Sequence, residues 1–293
     1  MNRFAVIILI LFCVSCTMAL AQDQPDYSRL DPKPFDPDVD PDIDMFISHW
    51  QESTPRCTYG ALIERDILTK FEGKDSLHPS KKGAVLEFIN RLSYATLGKH
   101  TSTTPSTLKD EQVIFYIDKG TGTISGGGKT FPLREGVGAL VPVGIEFTME
   151  NTGDDPLKMY VCAEPVPDGF VPSKEIVVKD ESTIPISSTQ SHWSHIPRTL
   201  FYRTDDLATL IGFCPIWFDS MTLGQPHSHG KNSEEIWFVV EGEVILHLGK
   251  ELRRLSPGSA YKIPPNGTTP HSNINVSDGQ IKLFWLMVIT KSD

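Results

Sequence analysis

The sequence is poor in cysteine and in positive charge, and each shortage argues against a class of protein. Two of its five cysteines, Cys13 and Cys16, fall in an apolar N-terminal segment. The other three have no pair at metal-site spacing, so we expect small buried thiols and at most one disulfide bond: Cys57, Cys162 and Cys214. Lysine and arginine number 27 against 37 acidic residues, a formal net charge of −10. This acidic balance argues against nucleic acid and anionic membranes as partners.

Several familiar motifs are also missing. The sequence has no Walker loop, dinucleotide-binding fingerprint, nucleophile elbow or zinc-protease helix. The apolar run at 4–14 is too short to span a bilayer, so no transmembrane segment is expected in the mature chain. What the chain does have is 22 glycines and 22 prolines. Such frequent turn residues favour β-structure.

The N-terminal segment has the pattern of an export signal. Arg3 precedes the apolar run, and Ala19 and Ala21 follow it, so residues 1–21 are predicted to be a signal peptide cleaved after Ala21. A lipid anchor on Cys16 is the alternative, although Cys13 stands where such signals usually carry leucine. Residues 22–45 are rich in proline and aspartate and are predicted to be an acidic linker. The protein is therefore expected to be exported, to the periplasm or the exterior.

From about residue 81, short apolar or alternating runs are separated by turn residues, and the series occurs twice. Gly120 aligns with Gly242 and Gly136 with Gly258, both at an offset of 122 positions. A constant offset indicates a duplicated β unit. A shorter echo, SHWQESTPR at 48–56 and SHWSHIPR at 191–198, indicates that the duplicated unit includes a lead-in strand. The predicted domains are a first barrel at 46–170 with lead-in strands, a linker at 171–200 and a second barrel at 201–293.

The second copy carries a candidate metal site. His227 and His229 are two residues apart, so on an extended strand both imidazoles point to one face. A polar turn then leads into an apolar strand that starts at Glu234 and Glu235, and His271 follows a later Pro-Asn-Gly turn. Three imidazoles and one carboxylate suit one divalent transition metal ion: Fe, Mn, Ni, Co, Cu or Zn. Glu235 is preferred as the carboxylate, with Glu234 left as the alternative.

These residues resemble the motifs of the cupin superfamily. The first cupin motif matches the histidine pair, Glu235 and Gly242, with six residues between the last two. The second motif matches Gly258, the turn at 265–267, His271 and Asn275, with small departures in spacing. The resemblance covers roughly residues 81–293 and implies an all-β chain of two tandem cupin barrels of jelly-roll type. It also implies a small-molecule ligand or substrate and possible homodimers.

The first copy has the turns of this site without its ligands. Val113 takes the place of Glu235, and Phe147 takes the place of His271. His100 is the only histidine nearby, so the first barrel is expected to bind no metal.

Other residues of the second copy are candidates for lining a pocket beside the metal, although an ordinary core position is the alternative for most of them: His247, Trp237, Tyr261, Trp285 and Asn275. His49, His192 and His195, in the echoed segments, are expected to be packing or interface residues.

The functional prediction is a metal-dependent enzyme. Cupin resemblance implies a dioxygenase, decarboxylase, lyase or isomerase that acts on a small oxygenated metabolite, such as a sugar acid or phenolic. Catalytic residues beyond the ligands are not identifiable from the sequence. The alternatives are a non-catalytic module that binds or senses a small molecule or carbohydrate, and a structural role in which the metal only stabilises the barrel.

Overall fold

The computed structural model describes residue 36 and residues 40–187, 194–205 and 207–290. The predicted signal peptide, the lipid-anchor candidate Cys16, residues 22–35 and 37–39 of the predicted linker, and His192 lie outside the described residues. Among the described residues, no helix has the length and apolar character needed to cross a membrane.

The protein is all-β, as predicted, and its helical segments are short 3-10 turns. The strands in the first part of the chain are β1 Ile47–His49, β2 Arg56–Thr58, β3 Leu62–Lys70, β4 Ala84–Leu86, β5 Arg91–Leu97, β6 Ser106–Thr107, β7 Glu111–Lys119, β8 Thr121–Gly126, β9 Lys129–Arg134, β10 Val137–Val141, β11 Glu146–Asn151 and β12 Leu157–Pro165. The later strands are β13 Val177–Asp180, β14 His195–Pro197, β15 Phe201–Tyr202, β16 Leu210–Phe218, β17 Ser233–Glu241, β18 Val244–Leu248, β19 Glu251–Leu255, β20 Ser259–Lys262, β21 His271–Ile274 and β22 Ile281–Ile289. The 3-10 turns are Ile43–Phe46, Trp50–Glu52, Glu181–Thr183 and Arg203–Asp205.

The strands form two similar pairs of sheets. The first pair is an eight-stranded sheet, β13-β10-β7-β12-β5-β3-β2 with β4 beside β3, and a four-stranded sheet, β6-β11-β8-β9. The second pair is a seven-stranded sheet, β1-β20-β17-β22-β16-β14 with β15 beside β16, and a three-stranded sheet, β19-β18-β21. The glycines that aligned the repeats hold equivalent turns: Gly120 has φ +91° and Gly242 has φ +76°, a region that other residues rarely adopt. The repeat predicted from the sequence is therefore a structural repeat.

Each half lends an edge strand to the other half. Strand β1 precedes the first pair of sheets but pairs with β20 of the second, and β13 follows the first pair in the chain and pairs back onto β10. The lead-in strand expected in the first barrel thus lies on the second sheet, and the predicted linker contains β13 and β14. The residues equivalent to His49 and Trp50 in register are Asp180 and Glu181. The SHW echo is therefore a wrong guide to the equivalent strands.

Two buried carboxylates join the halves reciprocally. Glu164 on β12 accepts backbone N–H groups from Ala208, Thr209 and Leu210 at 2.7–2.9 Å, just before β16 of the second half begins. Glu234 on β17 accepts the N–H groups of the 87–89 segment of the first half, including that of Ile89 at 3.0 Å. Both glutamates are fully buried. A buried carboxylate with several N–H donors is well satisfied, so these contacts fix how the halves dock.

Three apolar clusters lie in and between the sheets. One fills each half, and the third contains buried residues of both halves, with Phe238 and Phe284 stacked at a ring separation of 4.8 Å. Cys162 and Cys214 are buried in these clusters as free thiols, as expected. Cys57 is exposed, so the prediction of burial is wrong for that residue, which lies on the short edge strand β2.

Candidate metal centre

The four predicted ligands come together at one end of the second barrel. Glu235 lies near the start of β17 and His271 begins β21. The loop before β17 is tied to β21 by two backbone hydrogen bonds between His227 and His271, with N···O distances of 2.9 and 3.3 Å. This short bridge places the histidine pair beside His271, although the two segments are far apart in the chain.

The geometry fits a single metal ion. One ligand atom from each of His227, His229, Glu235 and His271 lies within 4.8 Å of the others, and the imidazole centroids are 4.4–5.4 Å apart. Four buried atoms here make no hydrogen bond of normal geometry to any described residue: His229 Nε2, Glu235 Oε2, and both ring nitrogens of His271. Buried polar atoms without partners are costly, and a metal ion would satisfy this set. The residues present therefore fit the predicted ion.

Electrostatics inside the cluster also suit a cation. Burial alone would raise the pKa of Glu235, but His229 and His271 outweigh it and hold that pKa far below its usual range. Burial disfavours a charged His229, yet its contact with Glu235 raises the pKa of that imidazole. Burial lowers the pKa of His227. A carboxylate kept ionised beside imidazoles is the protonation state that a metal ligand needs for Glu235.

Backbone contacts orient the first histidine. The Nδ1 atom of His227 lies 2.8 Å from the carbonyl oxygen of Gln225. A carbonyl can only accept, so the proton of the neutral ring is on Nδ1 and Nε2 is the nitrogen available to a metal. The sequence does not predict this contact, because every residue has a backbone carbonyl and residue type does not show which one a side chain will meet.

The structure separates the two candidate glutamates. Glu235 points toward His229 and His271, with its Oε1 atom 3.4 Å from His271 Nε2. Glu234 points to the opposite face of β17 and binds the backbone of residues 87–89. Successive residues of a strand face opposite sides, so only one of two adjacent glutamates can join the cluster. The preferred residue, Glu235, is the one that does.

Trp237 holds the carboxylate from inside the barrel. It lies two residues after Glu235 on the same face of β17, and its indole Nε1–H donates to Glu235 Oε1 at 2.6 Å. Trp285 on the neighbouring strand β22 is its cross-strand partner. Tyr261 is buried, and its hydroxyl donates to Asn273 Oδ1 at 3.0 Å. All three lie in or against the apolar cluster of the second half. Trp237 therefore has a role beyond lining, namely orienting a ligand.

We expect Trp237→Phe to weaken divalent-metal binding by about 10–100-fold, because groups that orient a metal ligand typically contribute that much. Titration with a metal-sensitive dye measures the effect. Tyr261→Phe is the matched control, since it removes a buried hydrogen bond that does not touch Glu235. Equal metal affinity in Trp237→Phe and the wild type would contradict an orienting role.

Comparisons with known proteins agree with this architecture. The family model described as "Cupin domain" matches residues 93–163 and again residues 221–288. The chain belongs to the cupin superfamily. It is a tandem cupin, with one domain match in each half.

Solved structures show the same fold at low identity. A glyoxylate-induced protein of Pseudomonas aeruginosa, itself described as putative in function, aligns with a TM-score of 0.64 and 13% identity over 82% of this chain and 85% of its own. Hazelnut vicilin aligns with a TM-score of 0.61 and 14% identity over 83% of this chain and 85% of its own. A bacterial pirin from Escherichia coli in complex with nickel(II) aligns with a TM-score of 0.61 and 9% identity over 84% of this chain and 99% of its own. No curated protein matches the chain significantly. At such identities these likenesses concern the fold.

Two predicted pocket residues of this tandem cupin do not reach the cluster. His247 lies on β18 between Leu246 and Leu248, which are buried, so it faces the other side of the sheet, with its Nε2 atom 3.0 Å from the carbonyl oxygen of Gly249. The Asn275 amide is hydrogen-bonded to the carbonyls of Phe218, Asp219 and Gly279. Neither side chain is free to line a metal pocket. The prediction is wrong for both. His247 lies on the face of β18 that points away from the cluster, and Asn275 is held in a loop turn by its three carbonyl partners.

The first domain of the tandem cupin has an apolar cluster at the equivalent place. Phe147 pairs with Gly126 on β8, and His271 pairs with Leu248 on β18. Gly126 and Leu248 are themselves 122 positions apart, so Phe147 and His271 occupy equivalent places. Phe147 is 1% exposed, and the rings of Tyr59 and Phe115 pack against it at 5.2 and 5.9 Å. Val113, equivalent to Glu235, is fully buried. Among the described residues, the group in the second domain is the one cluster of histidine, cysteine and acidic side chains that could hold a metal ion.

We expect Phe147→Ala to lower the free energy of unfolding by about 3–5 kcal/mol, since it leaves a cavity among packed aromatic rings. Metal content is expected to stay unchanged. Denaturant unfolding and metal analysis of the same preparation measure both. A folded variant that had lost its metal would show that the first domain contributes to the metal centre.

Proposed function

We propose that the second barrel binds one divalent transition metal ion through His227, His229, Glu235 and His271, and that the protein is a metal-dependent enzyme. The observation that carries the proposal is the convergence of four ligand atoms, in a cluster where His229 Nε2, Glu235 Oε2 and both ring nitrogens of His271 make no hydrogen bond of normal geometry. The expected substrate is a small oxygenated metabolite such as a sugar acid or phenolic. The expected reaction is that of a dioxygenase, decarboxylase, lyase or isomerase.

The residues of the site divide into holding and orienting groups. Three imidazoles and one carboxylate would hold the ion, and Trp237 and the Gln225 carbonyl orient Glu235 and His227. A bound ion supplies Lewis acidity, or a place for dioxygen, to a coordinated substrate oxygen. His227 and His229 are only partly buried, whereas Glu235 and His271 are buried. A substrate is therefore expected to approach from the side of the histidine pair.

A second candidate is a non-catalytic module that binds a small molecule. The structures that share this fold include both a vicilin and a nickel-bound pirin, so the architecture does not select between binding and catalysis.

The deciding experiment begins with the metal content of the purified protein, measured by plasma mass spectrometry before and after chelation. We expect close to one ion per chain and its loss on chelation. The loaded protein is then assayed with sugar acids, phenolics and short dicarboxylates while oxygen consumption is recorded. Turnover that is abolished by chelation supports the enzyme, and tight binding without turnover supports the binding module. A protein that takes up no metal from any of the six candidate ions contradicts the metal-dependent enzyme.

Export remains part of the proposal, supported by the signal-like pattern at 1–21. Mass spectrometry of the mature protein is expected to show a chain that starts at Gln22. A chain that retains residues 1–21 would contradict cleavage, and one that starts with a lipid-modified Cys16 would support the anchored alternative.

A further inference from the structure

The docking of the two halves creates two related junctions, and one of them is closed by a buried ion pair. Lys282 on β22 is 3% exposed. Its ammonium group donates to Glu181 Oε1 and to the Tyr116 hydroxyl, both at 2.6 Å. Glu181 follows the exchanged strand β13, and Tyr116 lies on β7 of the first half. A carboxylate and a hydroxyl thus satisfy a buried lysine where the halves meet.

The other junction has the lysine without these partners. Lys158 on β12 pairs with Lys119 on β7, and Lys282 on β22 pairs with Glu241 on β17. Lys119 and Glu241 are equivalent positions of the repeat, so Lys158 is the equivalent of Lys282. By the same register, Trp50 takes the place of Glu181 after the exchanged strand β1, and Phe238 takes the place of Tyr116. The ammonium group of Lys158 makes no hydrogen bond or ion pair with a described residue.

An open cleft of about 530 Å³ lies at this second junction. We call it the junction cleft; its lining residues that matter here are Trp50, Tyr94, Asp118, Lys119, Lys158 and Glu241. Trp50 stacks on Tyr94 at 5.3 Å, and the Tyr94 hydroxyl donates to Asp118 Oδ2 at 2.6 Å. The cleft therefore combines aromatic rings with charged groups.

The charges in the junction cleft are of both signs. Glu135 joins Asp118 and Glu241 as the third carboxylate of the lining, against the ammonium groups of Lys119 and Lys158. None of the five forms an ion pair with a described residue. A simple anion would meet three carboxylates, and a simple cation would leave the lysines without partners. A ligand with one positive and one negative group satisfies both sets.

We propose that the junction cleft binds a small zwitterion of the α-amino-acid type. The ligand carboxylate pairs with Lys158, in the role that Glu181 has beside Lys282. The ligand ammonium group faces the carboxylates of Asp118 and its neighbours, and any apolar side chain lies against Trp50 and Tyr94. This site is distinct from the metal centre, and neither depends on the other.

Calorimetric titration of the wild-type protein with free L-amino acids, one at a time and with a chelator present, tests the proposal. For the tightest amino acid, the N-acetyl derivative keeps only the negative charge and the amide derivative keeps only the positive charge. We expect the free amino acid to bind about tenfold or more tightly than either derivative, since each charged contact is worth at least that factor. Absence of binding by every amino acid, or equal binding of a derivative, would overturn the proposal.

Variants locate the binding in the cleft. Lys158→Met and Asp118→Asn are each expected to lower the affinity for the same amino acid by about tenfold or more, whereas Lys109→Met, an exposed lysine outside the cleft, leaves it unchanged. Circular dichroism melts confirm that the variants fold. Tyr94→Phe provides a milder second test, because it removes only the hydroxyl that orients Asp118. Wild-type affinity in both Lys158→Met and Asp118→Asn would place the binding elsewhere and overturn the assignment.

Discussion

Replacing His271 with alanine is expected to lower the affinity for a divalent metal ion by more than about a hundredfold, which exceeds the usual effect of a group that only orients a ligand. His271 is 2% exposed, and neither of its ring nitrogens has a hydrogen-bond partner among the described residues. Its removal leaves two imidazoles and one carboxylate, a ligand set that forms metal sites in other proteins but here keeps the spacing of a four-ligand centre and loses one bond from protein to metal. Metal content after dialysis and a competition titration with a metal-sensitive dye measure the loss.

The matched control is His247→Ala. His247 is also a histidine of the second barrel, on the strand next to β21, but it faces away from the cluster and contacts the Gly249 carbonyl. We expect it to retain wild-type metal affinity. Removing the imidazole of His271 should not unfold the chain, since the two hydrogen bonds that tie residue 271 to residue 227 are made by the backbone. A His271→Ala protein with full metal content would refute the four-residue centre.

The metal centre was largely predictable because its positions are tied to turns that the sequence shows. Glycines with positive φ align the two halves, and counting from Gly136 and Gly258 leads from Phe147 to His271 once the two extra residues around the turn at 265–267 are allowed for. The choice of Glu235 over Glu234 rests on the motif spacing to Gly242 and on the apolar strand that directly follows Glu235. Its physical basis, the alternation of faces along β17, depends on which face of the strand meets the first half.

The exchange of edge strands could not be predicted in the same way. Strand β1 is three residues long and β13 is four, and short segments of this kind carry little periodicity. Their pairing depends on contacts that arise only when the halves dock. The SHW echo pointed to a different segment, because similarity of a few letters is a weaker guide than register against a neighbouring strand.

The pocket predictions show a similar limit. Trp237 and Asn275 both seemed candidates from their position in the repeat. The structure makes Trp237 a hydrogen-bond donor to Glu235 and makes Asn275 a loop residue that binds three carbonyls. Asn151 of the first half binds the carbonyls of Leu97, Gly98 and Asp155 in the same pattern. That match, in a half without the ligands, assigns this asparagine to folding.

Glu234 offers the second large effect, on stability and not on metal binding. Its side chain is 0% exposed and points away from the metal cluster. It accepts hydrogen bonds from the backbone N–H groups of residues 87–89 and lies 3.4 Å from the ammonium group of Lys262. Lys262 is also 0% exposed and donates to the Val85 carbonyl and to Glu87. Removing the Glu234 charge weakens the acceptor of the buried N–H groups of residues 87–89 and breaks one of the two ion pairs of Lys262, and breaking a buried charged set costs about 3–5 kcal/mol.

We therefore expect Glu234→Gln to lower the free energy of unfolding by about 3–5 kcal/mol, measured by denaturant titration of the metal-free protein. The adjacent Glu235→Gln is the matched control, with the same chemical change one residue along the strand. It should abolish tight metal binding and lower the stability of the metal-free protein far less, because the carboxylate of Glu235 anchors no backbone of the other half. If the two variants unfolded at the same denaturant concentration, the reciprocal docking of the halves through Glu234 would not be what holds them together.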